Sequence, residues 1–174
     1  GEIGLEGTMP LKVALDLRGL EFAKLMDQLG VSKNAIEQWN LSGPIKLEGT
    51  ILPLNIKGPL HLRTKDFLVT QGAWHETPAE RVIGVTEAEV KSRVSIRPDG
   101  IRFEDIDALT PRSHIHADLL LGFDNQLRLH AYSDSLDLRD ATPLLTFPIG
   151  GVGTVLVDIT GTMSQMQLKG HLKF

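Results

Sequence analysis

The feature that most constrains the fold of this chain is an internal repeat. Leu-Asp-Leu-Arg occurs at residues 15–18 and again at 136–139. Each copy is followed by an apolar segment, a Gly-Thr pair and an alternating run, and residues 49–62 align without a gap with 161–174. A partial copy, Gly7-Thr8-Met9, lies near the start. The repeats, near 15–62 and 136–174, predict an extended, stacked architecture rather than a closed globule.

Composition excludes several classes of protein. The 174 residues fit one domain, and a formal net charge of -4 gives no reason to expect a nucleic acid partner, which needs a basic face. There is no Cys, so neither a disulfide framework nor a thiolate zinc site is expected. No apolar run approaches the ~20 residues that span a bilayer, and no signal peptide is evident. The opening sequence already alternates like a strand, so we expect a segment of a longer protein.

Most of the chain alternates apolar and polar residues with a period of two, which is typical of half-buried strands. Apolar residues at helical spacing over 20–29 predict one short helix, with Gly30 as its stop. The alternation changes phase near Pro53, which predicts a turn or bulge there. Pro98-Asp99-Gly100 is a turn signal. We therefore predict a mainly β fold of about ten strands in antiparallel arrangement.

Such a sheet has an apolar face that must be covered. Ten strands of about six residues make a face on the order of 900 Å², and soluble monomers rarely expose a patch beyond roughly 300–600 Å². Hydrophobic residues make up 41% of the chain and aromatic residues only 5%, so this face is aliphatic. It can be an ordinary core or a smooth surface suited to acyl chains. The single helix is too small a cover, which leaves a sandwich or a curled, groove-like sheet.

The repeat itself carries a family resemblance. A Leu-Asp-Leu strand, a short apolar segment, a Gly-rich step, then Gly-Thr and an alternating strand make up residues 135–174, which resemble a repeat unit of the AsmA/TamB family of bacterial envelope proteins. Residues 92–103 followed by 113–123 are similar to the hairpins between repeats of that family. Met166 departs from the pattern, because the family often has Pro there. The resemblance covers nearly the whole chain and implies one curled antiparallel sheet, a β-taco or repeating β-groove, over residues 1–174.

The resemblance also implies a location and a function. Proteins of this family are periplasmic and anchored in the inner membrane by an N-terminal helix, which this sequence does not contain. Their hydrophobic grooves are associated with phospholipid transport to the outer membrane, so the implied partners are phospholipid acyl chains and adjacent groove repeats of the same chain. The alternative is a scaffold for assembly of outer-membrane β-barrel proteins through strand addition. A plain structural sandwich with a filled core is a third hypothesis.

The residues expected to line the groove are the apolar members of the alternating runs. They are Leu54, Ile56, Leu60, Leu62, Val94, Ile96, Leu119, Leu121, Leu127, Leu129, Val155 and Val157. Movement of an acyl chain along them needs an unbroken aliphatic surface and no catalytic group. No cofactor is expected.

The other residue patterns are better explained by solvated side chains and turns than by metal, phosphate or catalytic sites. Six histidines are present, and His61, His114, His116, His130 and His171 fall on polar faces, where we expect solvated side chains rather than a metal site. Gly150-Gly151-x-Gly153 precedes a strand, which is the wrong order for a phosphate loop. Glu104, Asp105 and Asp107 lie in a polar turn region. No nucleophile motif appears, so no enzyme is predicted.

Overall fold

The computed structural model describes residues 8–21, 24, 36–71, 80–141, 150–162 and 165–174. Over these ranges the chain forms strands and one short helix, so the predicted mainly β fold is confirmed. The strands are β1 (Pro10–Glu21), β2 (Ile36–Thr50), β3 (Asn55–Gln71), β4 (Glu80–Arg97), β5 (Gly100–Leu109), β6 (His114–Gly122), β7 (Gln126–Asp137), β8 (Val152–Thr162) and β9 (Gln165–Lys173). The helix α1 (Leu138–Ala141) is a single turn between β7 and β8.

All nine described strands belong to one antiparallel sheet, in the order in which they follow along the chain. Each strand pairs with its neighbours in sequence, because most connections are short turns that send the chain straight back. β1 and β9 form the two edges, so the sheet is open. The described strands thus form one layer and not the two sheets of a sandwich.

Both copies of the repeat form antiparallel hairpins, but the registers differ by two residues: Gly49 pairs with Ile56, whereas the aligned Gly161 pairs with Met166. Residues 45–50 and 55–62 lie in β2 and β3, and residues 157–162 and 165–173 lie in β8 and β9. The Leu-Asp-Leu-Arg motifs differ in setting: residues 15–18 lie inside β1, whereas residues 136–139 join the end of β7 to α1. The same four residues therefore extend a strand in one copy and begin a helix in the other.

The helix predicted over 20–29 does not begin at Leu20. Leu20 and Glu21 belong to β1, where they pair with Leu41 and Asn40 after a bulge at Gly19, whose φ is 63°. Pairing with β2 outweighs the local helical spacing at these two positions. Lys24 is helical, and the other residues of the predicted segment lie outside the described residues.

The phase change near Pro53 is a turn. Residues 51–54 connect β2 to β3, as the reversal of the apolar pattern predicted. Pro59 follows in β3, and the β2–β3 ladder has no paired positions between Ile45–Leu60 and Glu48–Lys57. A proline has no N–H to donate, so an interruption of the ladder accommodates it inside the sheet.

Burial of apolar side chains is concentrated on one face near the first half of the sheet. The buried apolar side chains among the described residues are Leu41, Ile56, Ala88 and Val94, all in β2, β3 and β4. The chain exposes 12089 Å², whereas a compact monomer of this size exposes about 8,400 Å². A small core and a large surface are both expected of a single-layer sheet.

Candidate functional site

Strand register collects the aliphatic side chains on one surface, which we call the aliphatic face. Side chains directly opposite each other in neighbouring strands share a face, and alternate residues along a strand share it too. The apolar members are Leu11, Val13, Leu15, Leu17, Leu41, Ile45, Leu47, Ile56, Leu60, Leu62, Ala88, Val90, Val94, Ile96, Ile101, Phe103, Ile106, Ala108, Ile115, Ala117, Leu119, Leu121, Leu127, Leu129, Ala131, Val155, Val157, Ile159, Leu168 and Leu172. Between these positions lie Gly, Ser and Thr, and no charged residue shares the face within these spans.

Two rows of this face cross the sheet from one side to the other. The first row consists of Leu11, Gly49, Ile56, Ile96, Ile101, Leu121, Leu127 and Gly161. The second row consists of Val13, Leu47, Gly58, Val94, Phe103, Leu119, Leu129, Ile159 and Leu168. The first row crosses eight strands and the second crosses nine, so at about 4.8 Å spacing the second row is about 38 Å long. Each row is an uncharged track perpendicular to the strands.

The structure places the sequence-predicted lining residues on this face with one exception. The residues from Ile56 to Val157 in that set alternate in phase with the two rows, in β3, β4, β6, β7 and β8. Leu54 instead lies in the turn before β3, because β3 begins at Asn55. The alternation of the sequence assigned Leu54 to the strand that follows Pro53. The turn instead extends through Leu54, and β3 begins at the next residue.

The aliphatic face is open rather than filled. Ile56 and Val94 are buried, and the remaining predicted lining residues are half-buried. At the sheet edges the exposure rises, to 53% for Leu15 in β1, and to 68% for Leu168 and 61% for Leu172 in β9. Exposed leucines on both edge strands leave the aliphatic surface without a border of charge at either edge.

One end of the sheet is closed by polar contacts around α1. The Asp140 carboxylate accepts hydrogen bonds from the hydroxyls of Thr110 and Ser113, in the turn between β5 and β6. Ser113 Oγ in turn accepts from the Asp137 backbone N–H at 3.0 Å. α1 contacts β4 as well as β7. The helix is therefore fastened across the ends of β5 and β6.

Asp137 begins this helix and is almost fully enclosed. Its Oδ1 accepts the backbone N–H of Arg139 at 2.9 Å, as a helix cap does, and both carboxylate oxygens accept from the Arg139 guanidinium. These hydrogen bonds, the guanidinium's first, lower the pKa of Asp137 from an ordinary 3.8 to about 2. The second copy of the repeated motif is thus a charged cap, which its sequence did not reveal.

The opposite surface, which we call the polar face, carries cross-strand contacts between basic and acidic side chains. His61 contacts Glu89 at 2.6 Å, and His130 contacts Asp158 at 2.7 Å. Hydrogen bonds from His61 and then Lys91 lower the pKa of Glu89 below its ordinary value. Arg93 pairs with Asp105. Charge on this face is largely matched strand by strand, as expected of a solvated surface.

A cluster that sequence reasoning missed lies on the same face. His114 and His116 in β6 approach the Asp107 carboxylate of β5, and their ligand atoms all lie within 4.8 Å of one another. The signal was available in the apolar pattern, which changes phase between Phe103 and Ile106. That change marks a bulge at Asp105, whose φ is 50°, and the bulge turns Asp107 to the polar face.

A cavity of about 770 Å³ also lies against β1 to β5. Its lining includes Lys12, Lys46, Lys57 and Arg93. Val94 is the only predicted groove residue that lines it. Val13, Leu47 and Gly58 of the second row line it as well, so residues of both faces border this cavity.

The Gly-rich segment and the acidic residues singled out in the sequence make contacts that stabilise the fold. The Gly151 carbonyl accepts the Leu138 N–H at 3.0 Å, so the Gly-rich segment before β8 supports the start of α1. Asp105 and Asp107 face different partners, Arg93 and His114. They therefore do not form the paired carboxylates that acid–base chemistry requires.

Within the part of the chain that the structure describes, no helix combines the length and hydropathy needed to cross a bilayer. Comparison with known proteins found no matching family model, curated protein or solved structure.

Proposed function

We propose that this chain is a groove module of an AsmA/TamB-like envelope protein that carries phospholipid acyl chains between the inner and outer membranes. The observation that carries the proposal is the pair of uncharged rows that cross the sheet on the aliphatic face. The periplasmic location and the inner-membrane anchor of the whole protein are part of this proposal, and they rest on the repeat and its resemblance alone.

The physical requirement of a lipid path is a constant environment for the chain that moves along it. Each methylene transferred from water to an apolar surface gains about 0.8 kcal/mol, so a charged or deeply concave position would act as a barrier or a trap. The rows offer Leu, Ile, Val, Phe and Gly at every described step. Such a surface favours sliding of an acyl chain and needs no catalytic residue.

The proposal is tested by placing a charge on either face of one strand. Leu121 lies in the first row, whereas its neighbour Leu120 lies on the polar face opposite Arg128. In Leu121→Asp we expect lipid recovered with the purified protein to fall at least about five-fold, because a carboxylate on the path must be desolvated by a passing chain. In Leu120→Asp we expect lipid recovery to stay within two-fold of wild type. Mass spectrometry of organic extracts measures both.

Photocrosslinking in cells gives the complementary measurement. A photoreactive amino acid at Leu121 or Leu129 should capture phospholipid, and one at Leu120 should not. Equal capture from both faces, or no capture at Leu121 and Leu129 in a folded protein, would contradict the proposal. Circular dichroism of each variant confirms that the sheet is retained.

A second candidate function uses the sheet edge. β9 pairs with β8 on one side and is an edge on the other, and Leu168 and Leu172 are exposed there. An edge of this kind can add a strand from a client barrel protein or from the next module. Proline placed along β9 should then reduce capture of an unfolded outer-membrane protein without reducing lipid recovery, which separates the two functions.

A further inference from the structure

The cluster of Asp107, His114 and His116 has the composition of a metal site. His114 and His116 are alternate residues of β6 and so share the polar face, and Asp107 is the cross-strand partner of His116. His114 Nε2 contacts Asp107 Oδ1, and His116 Nδ1 lies 4.0 Å from the same oxygen. Two imidazoles and a carboxylate on adjacent strands therefore converge on one point.

We propose that these three side chains bind a divalent transition-metal ion of the Zn²⁺ type. Imidazole nitrogens with one carboxylate suit Zn²⁺ and its neighbours, whereas Mg²⁺ and Ca²⁺ prefer all-oxygen ligands. With bonds of about 2.0–2.1 Å, the ligand atoms of a tetrahedral zinc site lie about 3.3 Å apart. The three ligand atoms already lie within 4.8 Å of one another, so they are close to the separations that such a site needs.

The surroundings leave the three ligands free to act together. Lys91 is opposite Asp107 in the register, but it contacts Glu89 at 3.3 Å. Tyr132 stacks on the His116 ring with centroids 4.9 Å apart, which holds that ring from the β7 side. The ligands are partly exposed, with 42% of the His114 side chain accessible. Three protein ligands and an accessible face leave at least one position for water.

A bound ion would join β5 to β6 on the polar face, close to the turn that holds α1. The same turn, at Thr110 and Ser113, receives the Asp140 carboxylate. The ion would thus reinforce the closed end of the sheet without touching the aliphatic rows. Metal binding and lipid binding lie on opposite faces, so the failure of one proposal does not decide the other.

The polar face supplies its own matched control. His130 contacts Asp158 across the neighbouring strand pair, which makes a similar His–carboxylate contact without a second histidine beside that carboxylate. We expect chelator-treated wild type to bind one equivalent of Zn²⁺, measured by competition with a chromophoric chelator. His116→Gln and Asp107→Asn should each weaken binding by more than about 100-fold, since loss of an outer-shell partner alone costs 10–100-fold. His130→Gln should stay within two-fold.

A second readout follows from stabilisation by a bound ligand. Excess Zn²⁺ should raise the unfolding temperature of wild type and of His130→Gln, and should not raise that of His116→Gln. Mg²⁺ should raise none of them. The proposal is overturned if wild type binds Zn²⁺ no more tightly than folded Asp107→Asn or His116→Gln, or if His130→Gln loses affinity equally. Circular dichroism identifies a variant that fails to fold, and the other ligand variant then decides.

Discussion

Two aspartates at the same position of the repeat meet opposite environments. Asp16 lies within edge strand β1 with 59% of its side chain exposed, and Asp137 caps α1 with 3% exposed. Both contact the arginine two residues later, but only Asp137 holds it through several hydrogen bonds. An exposed pair contributes little to stability, whereas an enclosed carboxylate depends on its partner. The second copy of the motif therefore matters more to the fold.

The lowered pKa of Asp137 predicts a specific loss of stability in acid. Its pKa is about 2 in the folded chain and 3.8 ordinarily, so the folded state favours the charged form. That contribution is fully present above about pH 4 and is lost as the pH falls towards 2. The unfolding free energy of wild type should exceed that of Asp137→Asn at pH 6, and the difference should shrink between pH 4 and pH 2. Urea titrations at each pH measure it.

Asp16→Asn is the control for that experiment, because Asp16 is exposed and carries the same motif. Its effect on unfolding should be small at every pH. A difference between wild type and Asp137→Asn that is constant from pH 6 to pH 2 would contradict the assignment of the ion pair.

The residue pattern predicted that His114 and His116 share a face, but it did not predict that Asp107 lies beside them. Alternation placed His114 and His116 on one face, which the register confirms. Their partner Asp107 was missed because the sequence analysis assigned it to a polar turn region, which is wrong, since it lies inside β5. Before the bulge at Asp105 the odd positions Ile101 and Phe103 are apolar, and after it the even positions are. The phase change is visible in the sequence, but alternation counted along an uninterrupted strand would place Asp107 on the same face as Ile101 and Phe103.

At the scale of elements, glycines permit the close contact between β2 and β3. Gly49 has a φ of 150°, and a Cβ placed there would overlap the Asn55 carbonyl oxygen of the facing strand. A Cβ at Gly58 would overlap the Lys46 carbonyl oxygen in the same way. The strands therefore approach along a line that side chains would block. Sequence periodicity predicted both strands but treated these glycines only as spacers in an alternating run.

Gly49→Ala should consequently destabilise the sheet by about 1–3 kcal/mol, the cost of a strained backbone conformation. The matched control is Gly150→Ala, because a Cβ at Gly150 has no neighbour within 4 Å. Chemical denaturation of both variants gives the comparison. Equal stabilities would show that β2 and β3 can separate locally, and would remove the steric role assigned to Gly49.

At the scale of the whole molecule, the sheet is a one-dimensional array of neighbours. Each strand pairs with those before and after it, and the buried aliphatic residues of the described chain lie in β2 to β4. The sequence predicted the antiparallel class and, for most lining residues, the face. It did not predict the polar closure around α1, because contacts such as Thr110 with Asp140 join residues 30 positions apart.

Such an array should not open as a single unit. We expect amide hydrogen exchange to be slowest in β3 and β4 and progressively faster towards β1 and β9, since edge strands lack one partner and carry exposed leucines. Hydrogen exchange with mass spectrometry measures the gradient. Uniform protection across the strands would indicate that the sheet unfolds in one cooperative step.

Sequential pairing between two open edges has a consequence for size. Adding or deleting one hairpin changes the span of the sheet by about 9.6 Å while its cross-section stays the same. A protein assembled from such units can lengthen by duplication of a hairpin alone, because the added strands need no new core. The repeated hairpins at β2–β3 and β8–β9 are what that history would leave behind.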